Sequence, residues 1–444
     1  MTPSHISIKK LHGYKNLEIP FDDPYIILLA ENGQGKTSVL NLIYGALCND
    51  ATRISSINFE KMSVRFPDGE EFHIAAEDMT TRTMDLNGNG IRYLRNKLSE
   101  KEFDEVMLQI KSGRNPLDIY RDFKSRHRTL ASAAFRDAAE ELSGQEIDFS
   151  SGFSETLTEI NSRFGCTPLY LPTYRRIEED FMRLGLDEQP TQTRGINFGV
   201  KDVENKLEEM RKAILASSNE SFSRVNGEIL AKLINGFELT QDDIDQVRSL
   251  DRLDLVLERI GGHMKADEKE QIDHLFHTGQ IFVENKYEPL IYFLSNMVKV
   301  YRQQKKYDVA LRDFTDKCNG YLVAQKLVYD ENAVTVKAIN KFTEHPVDLK
   351  DMSSGEKQIV SLFAKLYLDS VAADSDENLA IFFDEPELSL SVEWQEKLLP
   401  DIIASKKCRF LFSVTHSPFI LKGVKPYARD MSEYVHMRAA DEQG

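Results

Sequence analysis

Cysteine, tryptophan, long apolar runs and an excess of positive charge are all scarce in this chain. Four cysteines (Cys48, Cys166, Cys318 and Cys408) are scattered over 444 residues. No two stand at metal-ligand or redox spacing, which argues against a disulfide framework or a zinc module and points to a reducing, cytoplasmic setting. No apolar stretch approaches the ~18–20 residues of a membrane span, and residues 1–25 lack a signal-peptide pattern, so no membrane role is expected. Lysine and arginine number 56 against 72 acidic residues, a formal net charge of −16. That balance disfavours general binding of nucleic acid by the whole surface, while leaving room for a local basic groove. Internal repeats and low-complexity tracts are also absent. What remains is an ordinary composition, 41% hydrophobic and 29% charged, enough for one large domain with an insertion or for two or three smaller ones.

Periodicity places strands and helices alternately along the chain. Ile6, Ile8 and Leu11, then Leu17, Ile19 and Phe21, alternate as short strands, and Tyr25–Ala30 reads as a continuous buried strand. Pro67-Asp68-Gly69 marks a hairpin within 57–75. The spacing predicts mostly helix over 85–165, a strand at 168–172 and a long charged helical stretch over 198–318. Strands return at 321–340, followed by helix 355–373, strand 379–383, helix 391–405 and strand 409–414. These patterns divide the chain into an N-terminal core part (1–80), a helical segment (81–165), a return to the core (166–197), a helical insertion (198–318), a C-terminal core part (319–425) and a short tail (426–444). Gly236, Gly261 and Gly262 interrupt the insertion, which is expected to form a compact lobe rather than a long coiled-coil arm.

Three motifs carry chemistry. Asn32-Gly33-Gln34-Gly35-Lys36-Thr37-Ser38 follows the buried strand and opens a helix, the context in which a glycine-rich turn cradles phosphate. Glycines there let backbone N–H groups converge on the anion, Lys36 would reach the β- and γ-phosphates, and Thr37 would ligate Mg²⁺. Strand 379–383 delivers Asp384 and Glu385 at its carboxyl end. Asp384 would hold Mg²⁺ through water and Glu385 would polarise the attacking water. Ser353-Ser354-Gly355-Glu356 opens another helix. Alone it could cap only itself, but a second anion site beside a complete cradle suggests that it serves the ATP of a neighbouring subunit. His416 follows the last strand, either as a structural hydrogen-bonding residue or as a γ-phosphate sensor, and its place one strand beyond Glu385 favours the sensor. His274 and His277 share a helical face without a third ligand and read as solvated.

In combination these residues resemble the ATP-binding-cassette-type (ABC-type) ATPases of the SMC, RecF and overcoming-lysogenization-defect (OLD) group. Ala30–Ser38 is similar to Walker A, with Ala30 in place of the usual first glycine. Met352–Gln358 is similar to the LSGGQ signature, Ile381–Pro386 to Walker B and Thr415–Pro418 to the His switch. The resemblance implies an α/β fold: a P-loop ATPase core, with a mixed central sheet and an antiparallel β-subdomain, plus the helical insertion lobe. It also implies ATP and Mg²⁺ as ligands, Tyr14 and Lys15 flanking the nucleotide, and a homo-oligomer, at least a dimer, with composite ATP sites. Two features depart from the pattern. Glu387-Leu388-Ser389-Leu390 stands where a D-loop aspartate is expected, and no Q-loop glutamine can be assigned. Arg175 and Arg176 stand either in that neighbourhood or in surface ion pairs with Glu178 or Glu179.

Within the group, Pro172–Glu178 and the Ser353–Gln358 turn are most similar to ATPase subunits of bacterial anti-phage systems of PARIS type, with Septu- and retron-associated subunits next. That resemblance implies an oligomeric sensor and scaffold that holds a separate nuclease and releases it when a phage protein binds. No nuclease set follows His416, so no intrinsic nuclease is expected. The alternative is an ATP-gated clamp of RecF or SMC type acting directly on DNA. A transporter ATPase is a third, weaker reading, and direct nucleic-acid binding stays open.

Overall fold

The computed structural model describes residues 1–31, 33–79, 89–111, 116–124, 127, 129–142, 149–172, 199–235, 238–250, 252–260, 264–369 and 378–437. Its strands, in chain order, are β1 (His5–Leu11), β2 (Lys15–Pro20), β3 (Tyr25–Leu29), β4 (Lys61–Arg65), β5 (Glu71–Ala75), β6 (Thr167–Leu171), β7 (Gln325–Asp330), β8 (Thr335–Asn340), β9 (Pro346–Val347), β10 (Leu379–Asp384), β11 (Cys408–Thr415), β12 (Ala428–Asp430) and β13 (Val435–Met437). The chain forms two compact units, Met1–Glu179 with Glu377–Gly444, and Asp180–Asp376. No helix of the described residues is long and apolar enough to cross a membrane.

The first unit contains two sheets of different character. One is antiparallel, ordered β13-β2-β1-β4-β5. Its strands alternate, with Ile6, Ile8, Leu17, Ile19, Met62 and Val64 buried, as a sheet with one covered face requires. The other is wholly parallel, ordered β12-β3-β11-β10-β6. Its central strands carry continuous apolar runs because both faces are covered. Phe382, Phe383, Phe410 and Phe412 are all buried, and Phe21 stacks on Phe410 and Phe412. The expected hairpin forms between β4 and β5, with Gly69 in the left-handed region at φ 89°. Helices Asn89–Lys97, Glu100–Lys111, Pro116–Lys124 and Ser132–Leu142 pack around Leu94, Ile119 and Phe135 as a small core of their own.

The second unit is built on two long helices, Val200–Asn235 and Glu288–Asn319, and a small antiparallel sheet ordered β7-β8-β9. At 36 and 32 residues these helices run about 54 and 48 Å. The first ends before Gly236, which lies outside the described residues, as do Gly261 and Gly262. Their interior is sealed by Val225, Val247, Leu257, Ile291, Leu294 and Met297. The helix expected over 355–373 is α-helical over Ser354–Ala364 and then widens into a π-turn over Lys365–Asp369. Leu366, Tyr367 and Leu368 are three consecutive buried residues.

Among the described residues of this unit, one ion pair is buried on both sides. Arg259 bonds Asp308, both side chains about 5% exposed, and also donates to the Glu331 carbonyl at 3.0 Å. Tyr329 donates its hydroxyl to the same Asp308 carboxylate. Removing one member leaves the other charge buried without compensation. Asp308→Ala should therefore destabilise the unit by about 3–5 kcal/mol, read as a lower denaturant midpoint. A midpoint equal to wild type would show that the Glu331 carbonyl and Gln304 Oε1 suffice to hold Arg259.

Candidate nucleotide site

Three neighbouring parallel strands deliver the site. In the order β3-β11-β10, Leu29 pairs with Thr415 and Val414 with Asp384. The loop after β3, the turn after β10 and the turn after β11 therefore leave the sheet at one edge and one level. Ligands of open α/β sheets bind at this carboxyl edge.

The loop after β3 has the backbone of a phosphate cradle. Gly33 and Gly35 adopt φ 82° and 93°, values at which a Cβ would be strained, and Gly35 caps the helix Lys36–Cys48. Ala30 is not among the left-handed residues, and its N–H continues the ladder to Thr415 O at 3.0 Å. A glycine is not needed there, which is why alanine is tolerated. The Lys36 ammonium is folded back over the loop, donating to Ala30 O at 3.0 Å and Glu31 O at 3.3 Å. Asn32 lies outside the described residues.

A second lysine braces the same loop. Lys15 is buried and donates to Gln34 O at 2.9 Å, with Tyr14 exposed beside it. The structure thus brings Lys15 to the cradle through carbonyl groups rather than through the space above it. His12, which sequence reasoning missed, sits in the β1–β2 turn with Nε2 3.0 Å from Ser38 Oγ. Burial and then the nearby Lys15 ammonium push its imidazole below the usual histidine range, so it is neutral near pH 7 and suited to a hydroxyl partner.

The acidic side of the site meets the cradle directly. Thr37 Oγ1 donates to Asp384, 3.1 Å from Oδ2 and 3.3 Å from Oδ1, and Asp384 is almost wholly buried. Glu385 follows in the left-handed region at φ 49°, a conformation that costs a non-glycine residue about 1–2 kcal/mol. Its N–H still bonds Val414 O at 2.9 Å, so the turn leaves the sheet abruptly and Glu385 stands part-exposed above the edge. His416 Nδ1 lies 3.9 Å from Glu385 Oε1 but 3.0 Å from Oε1 of Glu387. Glu387 was also missed. Its only signal was a carboxylate two residues after Glu385, in the segment where a D-loop was sought.

The signature turn belongs to the second unit. Ser353 caps the helix Ser354–Ala364 in a capping box, its hydroxyl 3.4 Å from Glu356 N, while Glu356 Oε2 accepts Ser353 N–H at 3.0 Å. Ser353 and Ser354 are exposed, Glu356 is half-buried and Gly355 is buried. Self-capping is therefore present, and it prearranges an exposed helix N-terminus, where an anion is favoured. Residues 173–198, with Arg175, Arg176 and the neighbourhood in which a Q-loop was sought, lie outside the described residues.

The first unit's donor set fits a magnesium nucleotide. Gly33 and Gly35 leave the cradle without Cβ atoms in the way, Lys36 supplies the cation, and Thr37 and Asp384 form a pair of hard oxygen ligands of the kind Mg²⁺ takes. A bound Mg²⁺ would neutralise phosphate charge there. Glu385 and His416 lie at the same edge, where a water could be oriented and a proton held.

The family described as "AAA ATPase domain" matches residues 1–421. Among curated proteins none matches. Of solved structures, the Smc head domain with an extended coiled coil bound to the C-terminal domain of ScpA, from Pyrococcus furiosus, is 12% identical. That alignment covers 94% of this chain and 90% of that one with a TM-score of 0.35. An SmcHead bound to the C-winged helix domain of ScpA is also 12% identical, covering 95% and 91%, with a TM-score of 0.30.

A lysine that meets phosphate makes charge-assisted hydrogen bonds worth about 1.5–3 kcal/mol, and Lys36 would be that lysine here. Lys36→Ala should weaken Mg·ATP binding by about 10- to 100-fold, measured by calorimetry with the fold checked by circular dichroism. Undiminished affinity would remove the loop after β3 as the phosphate site.

Proposed function

The chain belongs to the AAA ATPase domain family, and within it we propose a Mg²⁺-dependent ATP hydrolase whose sites are completed by a second copy of the chain. The observation that carries this reading is the 3.1 Å hydrogen bond from Thr37 to Asp384. It supports the reading because it brings Thr37 and Asp384, the two residues that would hold a magnesium ion, side by side. Glu385 polarises the attacking water, and His416 senses the terminal phosphate. Phosphoryl transfer requires mainly such positioning and charge compensation.

The second half of the site is the signature. An exposed, self-capped helix N-terminus at Ser353–Gly355 has no phosphate of its own in the sequence. It serves the nucleotide held by Lys36 of another copy, so that ATP closes the interface and hydrolysis loosens it. This is the behaviour of an ABC-type ATPase of the SMC, RecF and OLD group. Its output, following the resemblance at Ser353–Gln358, is restraint of a separate nuclease until a phage protein binds.

Mixing defective proteins tests the composite site. Lys36→Ala and Ser354→Arg should each hydrolyse ATP at background rate. Mixed, they form a heterodimer that keeps one intact site, so activity should return. Absence of recovery in mixtures shown to associate would mean that each chain works alone. Glu385→Gln should hold an ATP-dependent oligomer, seen by light scattering.

The output is tested by affinity purification of Glu385→Gln expressed with its neighbouring genes. A stoichiometric nuclease-like protein is the expected result. Retained DNA without such a protein would move the assignment to an ATP-gated clamp on nucleic acid.

A further inference from the structure

Glu387 is buried, yet it is a carboxylate, and its surroundings account for only half of it. Its side chain is 4% exposed. Oε1 accepts the backbone N–H of His416 at 2.9 Å and lies 3.0 Å from Nδ1 of the same residue. Oε2 is buried and, among the described residues, has no hydrogen-bond partner. Leaving a buried acceptor unsatisfied costs about 1–3 kcal/mol, so a leucine or methionine of similar volume would be the cheaper occupant if packing alone were at issue.

The backbone that carries Glu387 is tied to the His416 turn a second time. Gln395, on the helix Val392–Ala404, donates from Nε2 to Leu390 O at 3.0 Å and to Glu387 O at 3.4 Å. Its Oε1 accepts the Ser417 hydroxyl at 2.7 Å, and Ser417 N–H bonds Thr415 Oγ1 at 3.0 Å. The turn after β10 and the turn after β11 are therefore joined by a carboxylate bridge and an amide bridge. His416 lies between them, with its Nδ1 edge committed to Glu387.

We infer that Glu387 is a positioning residue that orients His416 for the reaction. A carboxylate can only accept, so it keeps a proton on Nδ1 and fixes which ring nitrogen is available on the other side. Nε2 is thereby presented as the group that meets the terminal phosphate, and the carboxylate compensates the ring's charge whenever Nε2 is also protonated. The logic is that of any buried carboxylate behind a working imidazole. Glu385 is left to the attacking water, because at 3.9 Å it does not hold His416. The inference rests on His416 being the phosphate sensor, and the experiment below separates the two.

Steady-state ATP hydrolysis by the full chain is compared for wild type, Glu387→Ala, Glu387→Gln, His416→Ala and the Glu387→Ala/His416→Ala double variant. His416→Ala should lower kcat by about 100- to 1,000-fold. Glu387→Ala should do nearly the same with KM within about threefold, and the double variant should match His416→Ala alone within about twofold, because residues acting as one unit are not additive. Glu387→Gln keeps an acceptor oxygen and should recover most of the loss. Independent, multiplying losses, or a Glu387→Ala protein at the wild-type rate beside a defective His416→Ala, would overturn the role of Glu387 alone. A His416→Ala protein at the wild-type rate would instead remove the sensor reading and this inference with it. Should Glu387→Ala fail to fold, nitrogen NMR of isotope-labelled His416 in the wild-type protein decides: Nδ1 must carry a proton, and an unprotonated Nδ1 overturns the inference.

Discussion

The register of three adjacent parallel strands is the constraint on which the site depends. Leu29 opposite Thr415 and Val414 opposite Asp384 set the exits of β3, β11 and β10 at a common height. A slip of one residue in either pairing would turn every side chain to the other face. It would also carry Asp384 away from Thr37. The register is held by what lies below the edge. Phe382, Phe410 and Phe412 share one face of the sheet and Phe383 takes the other, all of them buried, and Phe164 meets Phe410 edge-on at 5.2 Å between ring centroids. The sequence spends its largest side chains on locking the strands whose ends do the chemistry.

Around the carboxyl edge of that sheet several costly arrangements occur together. Glu385 is left-handed without being glycine, and so is Ser389 four residues on. His12 is left-handed too, and its ring is depressed in pKa by burial and Lys15. Glu387 is a buried carboxylate with one oxygen unanswered among the described residues. Each is costly on its own, and costs of this kind persist where surrounding structure over-determines them. Here the surroundings are identifiable. The ladder bond from Glu385 N–H to Val414 O and the amide bridge of Gln395 hold the strained turn at both ends.

The second unit follows a different economy. Two helices of more than thirty residues give it length, and a buried Arg259–Asp308 pair with Tyr329 gives it internal polarity. The signature helix starts with its own capping box, so its first turn is formed whether or not an anion is present. Prearranged N–H groups give up less freedom on binding than a loop that must first fold. The same box assigns Glu356 a local task, the bond to Ser353 N–H, that a signature motif read from sequence would not suggest.

The sequence by itself determined most of the frame. Alternation in β1 and β2, the unbroken apolar runs of β3, β10 and β11, the Pro67-Asp68-Gly69 hairpin and the glycine-flanked Lys36 are local patterns, and local patterns are legible because they depend on neighbours in the chain. The same holds for Thr37 and Asp384 as separate candidates. Only the tertiary structure decided what meets what. Strand order placed Thr37 within hydrogen-bond reach of Asp384, 347 residues away along the chain. It put Lys15 beneath the cradle and His12 against Ser38, and gave His416 to Glu387 rather than to Glu385. These pairings join residues far apart in sequence, or choose between two carboxylates two positions apart. Periodicity carries no information on either, because the outcome turns on sheet register and on one left-handed residue.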